Sequence, residues 1–332
     1  MPQPKKFDII TFGNATRDVF LRSRKFRIIS DRRSITGRTI GLVLGAKLEV
    51  DDVVFETGGG ATNTAVCFNQ LGYRTAFVGR LGKFDARGRE IIEKLSRQGI
   101  DTSLVRLDAD KGTAYSIILL TRSGERTILV YRGASTNFDA RDIAWSKLNA
   151  RWFYITSMAG NLPVLGRLVD FARRRGIKVA LNPGAVELEQ GMGKLGPILK
   201  GIDILFLNLE EAARLTGLPY GQENRIFKDL CVRLPGLVVI TAGRQGAIVC
   251  DNQKKYRSGT NQIKVIDATG AGDAFGSGFL AAYLKRPDIA YALRVATINS
   301  ESVIQKIGAK QGLLTHLPAR PGVPVHVENY PN

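Results

Sequence analysis

Residues 7–13, FDIITFG, form an apolar run closed by a glycine, the pattern of a strand buried on both faces. ATNTAVCFNQLG (61–72) places its apolar positions at helical spacing and stops at Gly72, and TAFVGRLG (75–82) returns to a strand. ARGREIIEKLSRQG (86–99) is amphipathic at the helical period, with Gly99 where a helix closes. GTAYSIILLTRSGERTILVYRG (112–133) predicts two strands around a Ser-Gly-Glu turn, a hairpin. A polar, arginine-rich stretch runs to about residue 50 and holds short alternating pieces such as TIGLVLGAKLEV, which predict a second hairpin near 35–55.

From residue 151 the chain alternates strand with helix: RWFYITS, LPVLGRLVDFARRRG, IKVALNPG, DILFLNL, EEAARLTG, ENRIFKDLCVRL and LVVITAG follow one another. AIVCDNQKKYRS (247–258) predicts another hairpin, and two long helices follow, the second over PDIAYALRVATINSESVIQKIG. Strands separated by helices of this length imply a mostly parallel sheet covered on both faces, an α/β three-layer sandwich. The hairpins near 35–55 and 112–133 break that repeat and predict a separate small sheet. With no long linker and no internal repeat, the expectation is a single domain over 1–332 with an appended small sheet from segments near 16–55 and 112–133.

Composition narrows the chemistry. Both histidines, His316 and His326, fall in the C-terminal stretch, so a Ser-His-Asp or Cys-His nucleophile or a His-rich zinc site has no histidine in the body of the fold. The three cysteines, Cys67, Cys231 and Cys250, are far apart and flanked by apolar residues, which predicts buried reduced thiols. No apolar run is long enough to span a bilayer, and MPQPKKFDIITFGN lacks the pattern of a cleaved leader, so a cytoplasmic protein with no membrane partner is expected. The net charge of +18 raises the question of nucleic acid, but the basic residues are scattered and no nucleic-acid recognition motif occurs, so no nucleic-acid partner is expected.

The chemistry-bearing stretch is DATGAGDAFGSGFLAAY (267–283). A P-loop requires GxxxxGK followed by Ser or Thr, and here Gly82-Lys83 is followed by Phe84. A dinucleotide fingerprint requires GxGxxG after the first strand, and that position reads GNATRD. What remains is an anion site of backbone N–H groups at a helix start. Gly270, Ala271 and Gly272 let the main chain approach an anion, and Asp273 stands on the first turn. Taken alone, the stretch is equally an ordinary helix start with an acidic cap.

DATGAGDAF closely resembles the second signature of the ribokinase-like (PfkB-type) carbohydrate kinases. ETGGGATNTAVCFNQLG (56–72) resembles the first. NLEE (208–211) and TAGRQGA (241–247) match the family's Asn-x-x-Glu and Thr-x-Gly-x-x-Gly motifs in the expected order. The resemblance runs from GNATRD to GAKQG and implies the ribokinase-like fold, with the small sheet as a lid over the acceptor site and a homodimer through that lid. It implies an ATP- and Mg²⁺-dependent phosphotransferase acting on an alcohol of a sugar or sugar derivative. A nucleoside kinase of the same fold is the second reading. The third is a non-catalytic sugar or nucleotide sensor, against which the intact Asp273 and anion loop argue.

The same resemblance implies residue roles. Asp273 matches the catalytic base, and Gly270, Ala271 and Gly272 the anion hole. Asp18, Asn14, Gly59, Gly60 and Asn63 match acceptor-binding positions, with a loop carboxylate and a helix cap the ordinary alternatives for Asp18 and Asn63. Thr241, Gly243 and Gly246 would line the nucleotide, and Asn299 and Gly308 would close over its base. Asn208 and Glu211 would orient Mg²⁺ through water, or simply start a helix. Asp267 resembles the residue that binds a monovalent cation, K⁺, or else caps the loop; Ala268 departs from the Thr usual after it. Gly60 stands where ribose-specific members often carry Lys, and TSMAGN (156–161) lacks their acidic residue, so ribose itself is not the expected acceptor.

Overall fold

The structure is a computed structural model that describes residues 7–33, 37–121 and 126–329. Its main element is a nine-stranded sheet. In order across the sheet it runs Thr75–Val78, Phe7–Phe12, Ala150–Ile155, Lys178–Leu181, Ile204–Asn208 and Leu237–Thr241, all parallel. Ala247–Cys250, Lys254–Ser258 and Val325–Asn329 then continue it antiparallel. The mostly parallel α/β sheet expected from the strand–helix rhythm is the one observed.

Alternation along each strand divides the apolar residues between two cores. In Ala150–Ile155, Phe153 and Ile155 face one layer, which includes Leu165, Leu168 and Leu230. Trp152 and Tyr154 face the other, with Phe206, Phe275 and Phe279. Both faces are therefore covered, which is why these strands carry almost no polar positions. Close packing reaches the helix Ala271–Lys285: a Cβ at Gly276 would stand 2.1 Å from the Tyr154 hydroxyl, so only glycine fits there.

A four-stranded sheet stands apart, in the order Arg126–Tyr131, Ala114–Leu120, Thr16–Arg22 and Asp52–Gly58. The hairpin expected over 112–133 is present as strands Ala114–Leu120 and Arg126–Tyr131, while its Ser-Gly-Glu turn lies outside the described residues. The hairpin expected near 35–55 is corrected. Arg38–Gly41 pairs with Arg27–Ser30, and Asp52–Gly58 pairs with Thr16–Arg22. The long-range pairing wins because it joins Val19 and Phe20, both buried, to an otherwise unpartnered strand.

The cysteine expectation is also corrected. Cys231, on the helix Glu223–Arg233, and Cys250, on the strand Ala247–Cys250, form a disulfide, and only Cys67 is a free buried thiol. The helix packs on the sheet face that carries Cys250, so two residues 19 apart meet in the same core layer. A loop of that length predicts that reduction costs about 3 kcal/mol of unfolding free energy. Thiol titration of the unfolded, unreduced chain should find one reactive group; three would show that the bridge does not form.

Candidate active site

The C-terminal ends of the parallel strands gather at one edge, the usual position of a ligand crevice in an open α/β sheet. Gly13 and Asn14 follow the strand Phe7–Phe12, Thr156 follows Ala150–Ile155, and Asn208 and Thr241 end the next strands toward the antiparallel edge. Asn208 and Thr241 are register partners, so the NLEE and TAGRQGA motifs lie side by side.

The helix Ala271–Lys285 begins beside this edge. Its N-cap, Gly270, has φ of 77°, and a Cβ there would stand 2.3 Å from that of Ala309. Both facts demand glycine. A Cβ at Gly272 would meet nothing within 4 Å, so the first turn of the helix is open on that side. Asp273 sits on the first turn, and its Oδ2 accepts a 2.7 Å hydrogen bond from Asn63 Nδ2. Among the described residues, Asn63 Oδ1 is buried without a hydrogen-bond partner. A Cβ at Gly60 would lie 3.2 Å from Asp273 Oδ1 and 3.0 Å from Thr156 Cβ, so a longer side chain at residue 60 would press on the carboxylate.

Asp18 is buried at the start of the small sheet and accepts from Thr16 Oγ1 at 2.8 Å. Burial raises the pKa of both carboxyls. At Asp273 the Asn63 bond and Lys310 oppose the rise and the charge of Asp18 adds to it; at Asp18, Thr16, Lys310 and Ser116 oppose it while Asp267 adds to it. Asn14 is half-buried in the turn leading to Asp18. Gly59, with φ of 95°, brings the start of the helix Gly60–Gln70 against the Asn14 backbone, where a Cβ would stand 2.4 Å from its carbonyl oxygen.

Asp267 is tied into the loop on both oxygens. Oδ1 accepts from Thr269 N at 3.0 Å and Thr269 Oγ1 at 2.7 Å, and Oδ2 accepts from Gly308 N at 3.0 Å. Asn208 and Glu211 cap one helix reciprocally, Asn208 Oδ1 accepting from Glu211 N and Glu211 Oε2 from Asn208 N, both at 2.8 Å. Burial raises the pKa of Glu211, against the Asn208 backbone bond, and Asp273 is among the charges that push it further. Among the described residues, no group of three or more His, Cys, Asp or Glu side chains could hold a metal ion.

A cavity of about 240 Å³ opens beside the anion loop. Thr241, Gly243, Gly246, Ala271 and Gly272 line it, together with Phe275, Val265 and Ile304. Asn299 and Gly308 are not among the residues that line it. Asn299 is fully buried, donating to Ala274 O at 2.7 Å and Cys67 Sγ at 3.3 Å and accepting from Leu314 N at 2.9 Å. Its helix presents Thr297, Ser300, Glu301 and Ile304 to the cavity, one helical face by their spacing, with Asn299 off that face. Gly308 instead serves Asp267.

Two residues had no place in the motif reading. Glu187, almost fully buried, accepts from Met158 N at 2.6 Å, Gly160 N at 2.9 Å and Gly184 N at 3.0 Å, so it fixes the TSMAGN loop from another helix. Lys310 Nζ donates to Thr57 O, to Thr57 Oγ1 at 3.2 Å and to Thr62 Oγ1 at 3.0 Å, across the start of the helix that carries Asn63.

Fold and site together define an α/β protein with a glycine-rich helix start and an adjoining carboxylate at the C-terminal edge of its sheet. The profile of the pfkB family carbohydrate kinases matches residues 34–316, and the chain belongs to that family. It is therefore a phosphotransferase, a kinase of the sugar and nucleoside group. It is similar to an uncharacterized sugar kinase of Archaeoglobus fulgidus, 29% identical over 253 residues, covering 74% of this chain and 97% of the relative. It is also similar to the aminoimidazole riboside kinase of Salmonella typhimurium, 29% identical over 274 residues, covering 79% of this chain and 84% of the relative. Among solved structures, Arabidopsis thaliana ribokinase complexed with ribose and ATP superposes with a TM-score of 0.75 at 23% identity, over 93% of this chain and 96% of that one. Asn14 and Asp18 precede the stretch matched by the family profile.

The left-handed Gly270 tests the loop most directly. Gly270→Ala should displace Ala309 and the amides and lower any phosphotransfer by 10²-fold or more, the order seen for losing one such donor. A variant with native turnover would remove the loop from the site.

Proposed function

We propose that the chain phosphorylates an alcohol group of a sugar or sugar derivative with ATP, using Asp273 as general base and the Gly270–Gly272 amides as the anion hole. The observation that carries this reading is the placement of an exposed backbone cradle, open at Gly272, one residue from a carboxylate oriented by Asn63. ATP fits the adjoining cavity by the character of its walls: Val265, Phe275 and Ile304 offer an apolar seat for a base, and Gly272 faces open space where phosphates require backbone donors. When bound, ATP supplies the transferable phosphoryl group and Mg²⁺ the neutralising charge. Asn208 and Glu211, beside Thr241, would hold that cation through water, since Mg²⁺ keeps much of its hydration.

Within this reading Asp18, Asn14 and Asn63 hold the acceptor's hydroxyls, and the unpartnered Asn63 Oδ1 is free to accept from one of them. Asp273 takes the proton of the reacting hydroxyl. The positive end of the helix Ala271–Lys285 steadies the charge that develops beside it. The small sheet acts as a lid on the single domain and excludes water. Its edge strands expose Phe55, Leu129 and Tyr131, and a second copy of the chain is the occupant we assign to those edges. A nucleoside acceptor is the second reading, favoured by the likeness to a riboside kinase.

Asp273→Asn keeps the shape and the Asn63 contact but cannot take a proton. Phosphotransfer, followed as ADP release across a panel of sugars and nucleosides, should fall about 10²–10⁴-fold while ATP still binds. Retention of most of the turnover would show that the base lies elsewhere. Asp267 gives a second expectation, that rates rise in K⁺ relative to Na⁺. Equal rates in potassium-free and potassium-rich buffer would leave Asp267 with its loop bonds alone.

A further inference from the structure

Lys310, in the GAKQG stretch that ends the resemblance, was given no role by the motifs, yet it reaches the acceptor side. It comes from the segment after the helix Ile289–Val303 and reaches into the start of the helix Gly60–Gln70. Its acceptors, Thr57 O, Thr57 Oγ1 and Thr62 Oγ1, match the three protons of an ammonium group. Those two threonines flank the residues that touch the site's carboxylates. A Cβ at Gly58 would fall 1.8 Å from Asp18 Oδ2, and Thr62 Oγ1 bonds Gly58 O at 2.7 Å. One residue further on, Asn63 holds Asp273. Residues 57–63 are thus a short bridge with an ammonium bonded to it and a carboxylate against each end.

We propose that Lys310 is a positioning residue of the acceptor site, a built-in counter-charge bonded to Thr57 and Thr62 that keeps Asp18 and Asp273 ionised together. Two carboxylates in one partly dry site drive each other toward the protonated form unless a cation stands close to both. Asp18 arrives from the small sheet and Asp273 from the helix Ala271–Lys285. The other charges around them are Glu56 on the strand Asp52–Gly58, Asp267 in the anion loop, Glu211 on the neighbouring helix and Lys94 on the helix Ala86–Arg97. Lys310 is a cation that acts on both Asp18 and Asp273. Burial lowers the Lys310 pKa to about 8, and Asp18, Glu56 and Asp273 hold it from falling further. With its protons committed to Thr57 and Thr62, Lys310 acts on the acceptor through the carboxylates it keeps charged.

The importance of this charge for turnover rests on Asp273 being the base, but the charge coupling does not, so the test is made on the resting full-length protein. With carboxyl-¹³C aspartate and assignment by Asp18→Asn and Asp273→Asn, Lys310→Met should raise the titration midpoints of both carboxyls by about one to three units, the usual effect of losing a close opposite charge. Lys310→Arg, which keeps the charge, should leave them near the parent values. The reciprocal arm needs no change at Lys310: with ¹³Cε-lysine, Asp18→Asn should lower the Lys310 midpoint below that of the parent chain. Midpoints that stay put in either arm overturn the proposal. Failure of the parent chain to phosphorylate any sugar or nucleoside would overturn the kinase chemistry proposed above and leave these titrations untouched.

Discussion

In the proposed reading, a carboxylate that must remain charged while partly shielded from water governs the architecture of the site. Asp273 cannot be moved to the surface, because the hydroxyl it would deprotonate has to be protected from competing water. Nor can it be left alone, because burial raises its pKa and Asp18 raises it further. Three features offset that cost. The helix Ala271–Lys285 directs its positive end at the first turn, Asn63 Nδ2 donates at 2.7 Å, and Lys310 stands behind residues 57–63. Each comes from a different part of the chain, and the parallel sheet holds them in register.

The fold is built to make that convergence rigid. Gly270 must be left-handed for the loop to turn into the helix, Gly276 must lack a side chain for the helix to lie on Tyr154, and at Gly60 even a Cβ would crowd Thr156 and Asp273 at 3.0–3.2 Å. Asn299, buried and bonded to Ala274, Cys67 and Leu314, joins the two helices that carry Asp273 and Asn63. Its place as an internal tie goes with the helix face it occupies, off the one that lines the cavity. A polar residue near a predicted pocket serves the pocket or the scaffold, and only the face of its helix decides which.

Much of this was legible in the chain. Unbroken apolar strands such as FDIITF and RWFYI, alternating with amphipathic helices, fix a parallel sheet by local pattern alone. Asp273, Asn63 and the Gly270–Gly272 loop were singled out through the resemblance of DATGAGDAF and ETGGGATNTAVCFNQLG to two family signatures, since spacing alone left an ordinary helix start open. What escaped was set by distance. The pairing of Asp52–Gly58 with Thr16–Arg22 depends on which strand finds a partner, not on either sequence by itself. The Cys231–Cys250 bridge depends on which face of a helix meets the sheet. The terminal strand Val325–Asn329 follows a proline-rich stretch and adds to an antiparallel edge that local pattern does not announce.

Lys310 escaped for a related reason, and its position also accounts for the departure at Gly60. Where ribose-specific relatives of the family often place a lysine on the loop itself, this chain has glycine, and a Cβ there would already lie 3.2 Å from Asp273 Oδ1. A lysine on that loop would share the front of the site with the acceptor. Lys310 delivers positive charge to the same loop from behind, through Thr57 and Thr62. In the proposed reading the front is then left to Asn63 and Asp18, an arrangement that suits an acceptor recognised through its hydroxyls. Charge balance and acceptor shape are in this way assigned to opposite sides of one short stretch of backbone.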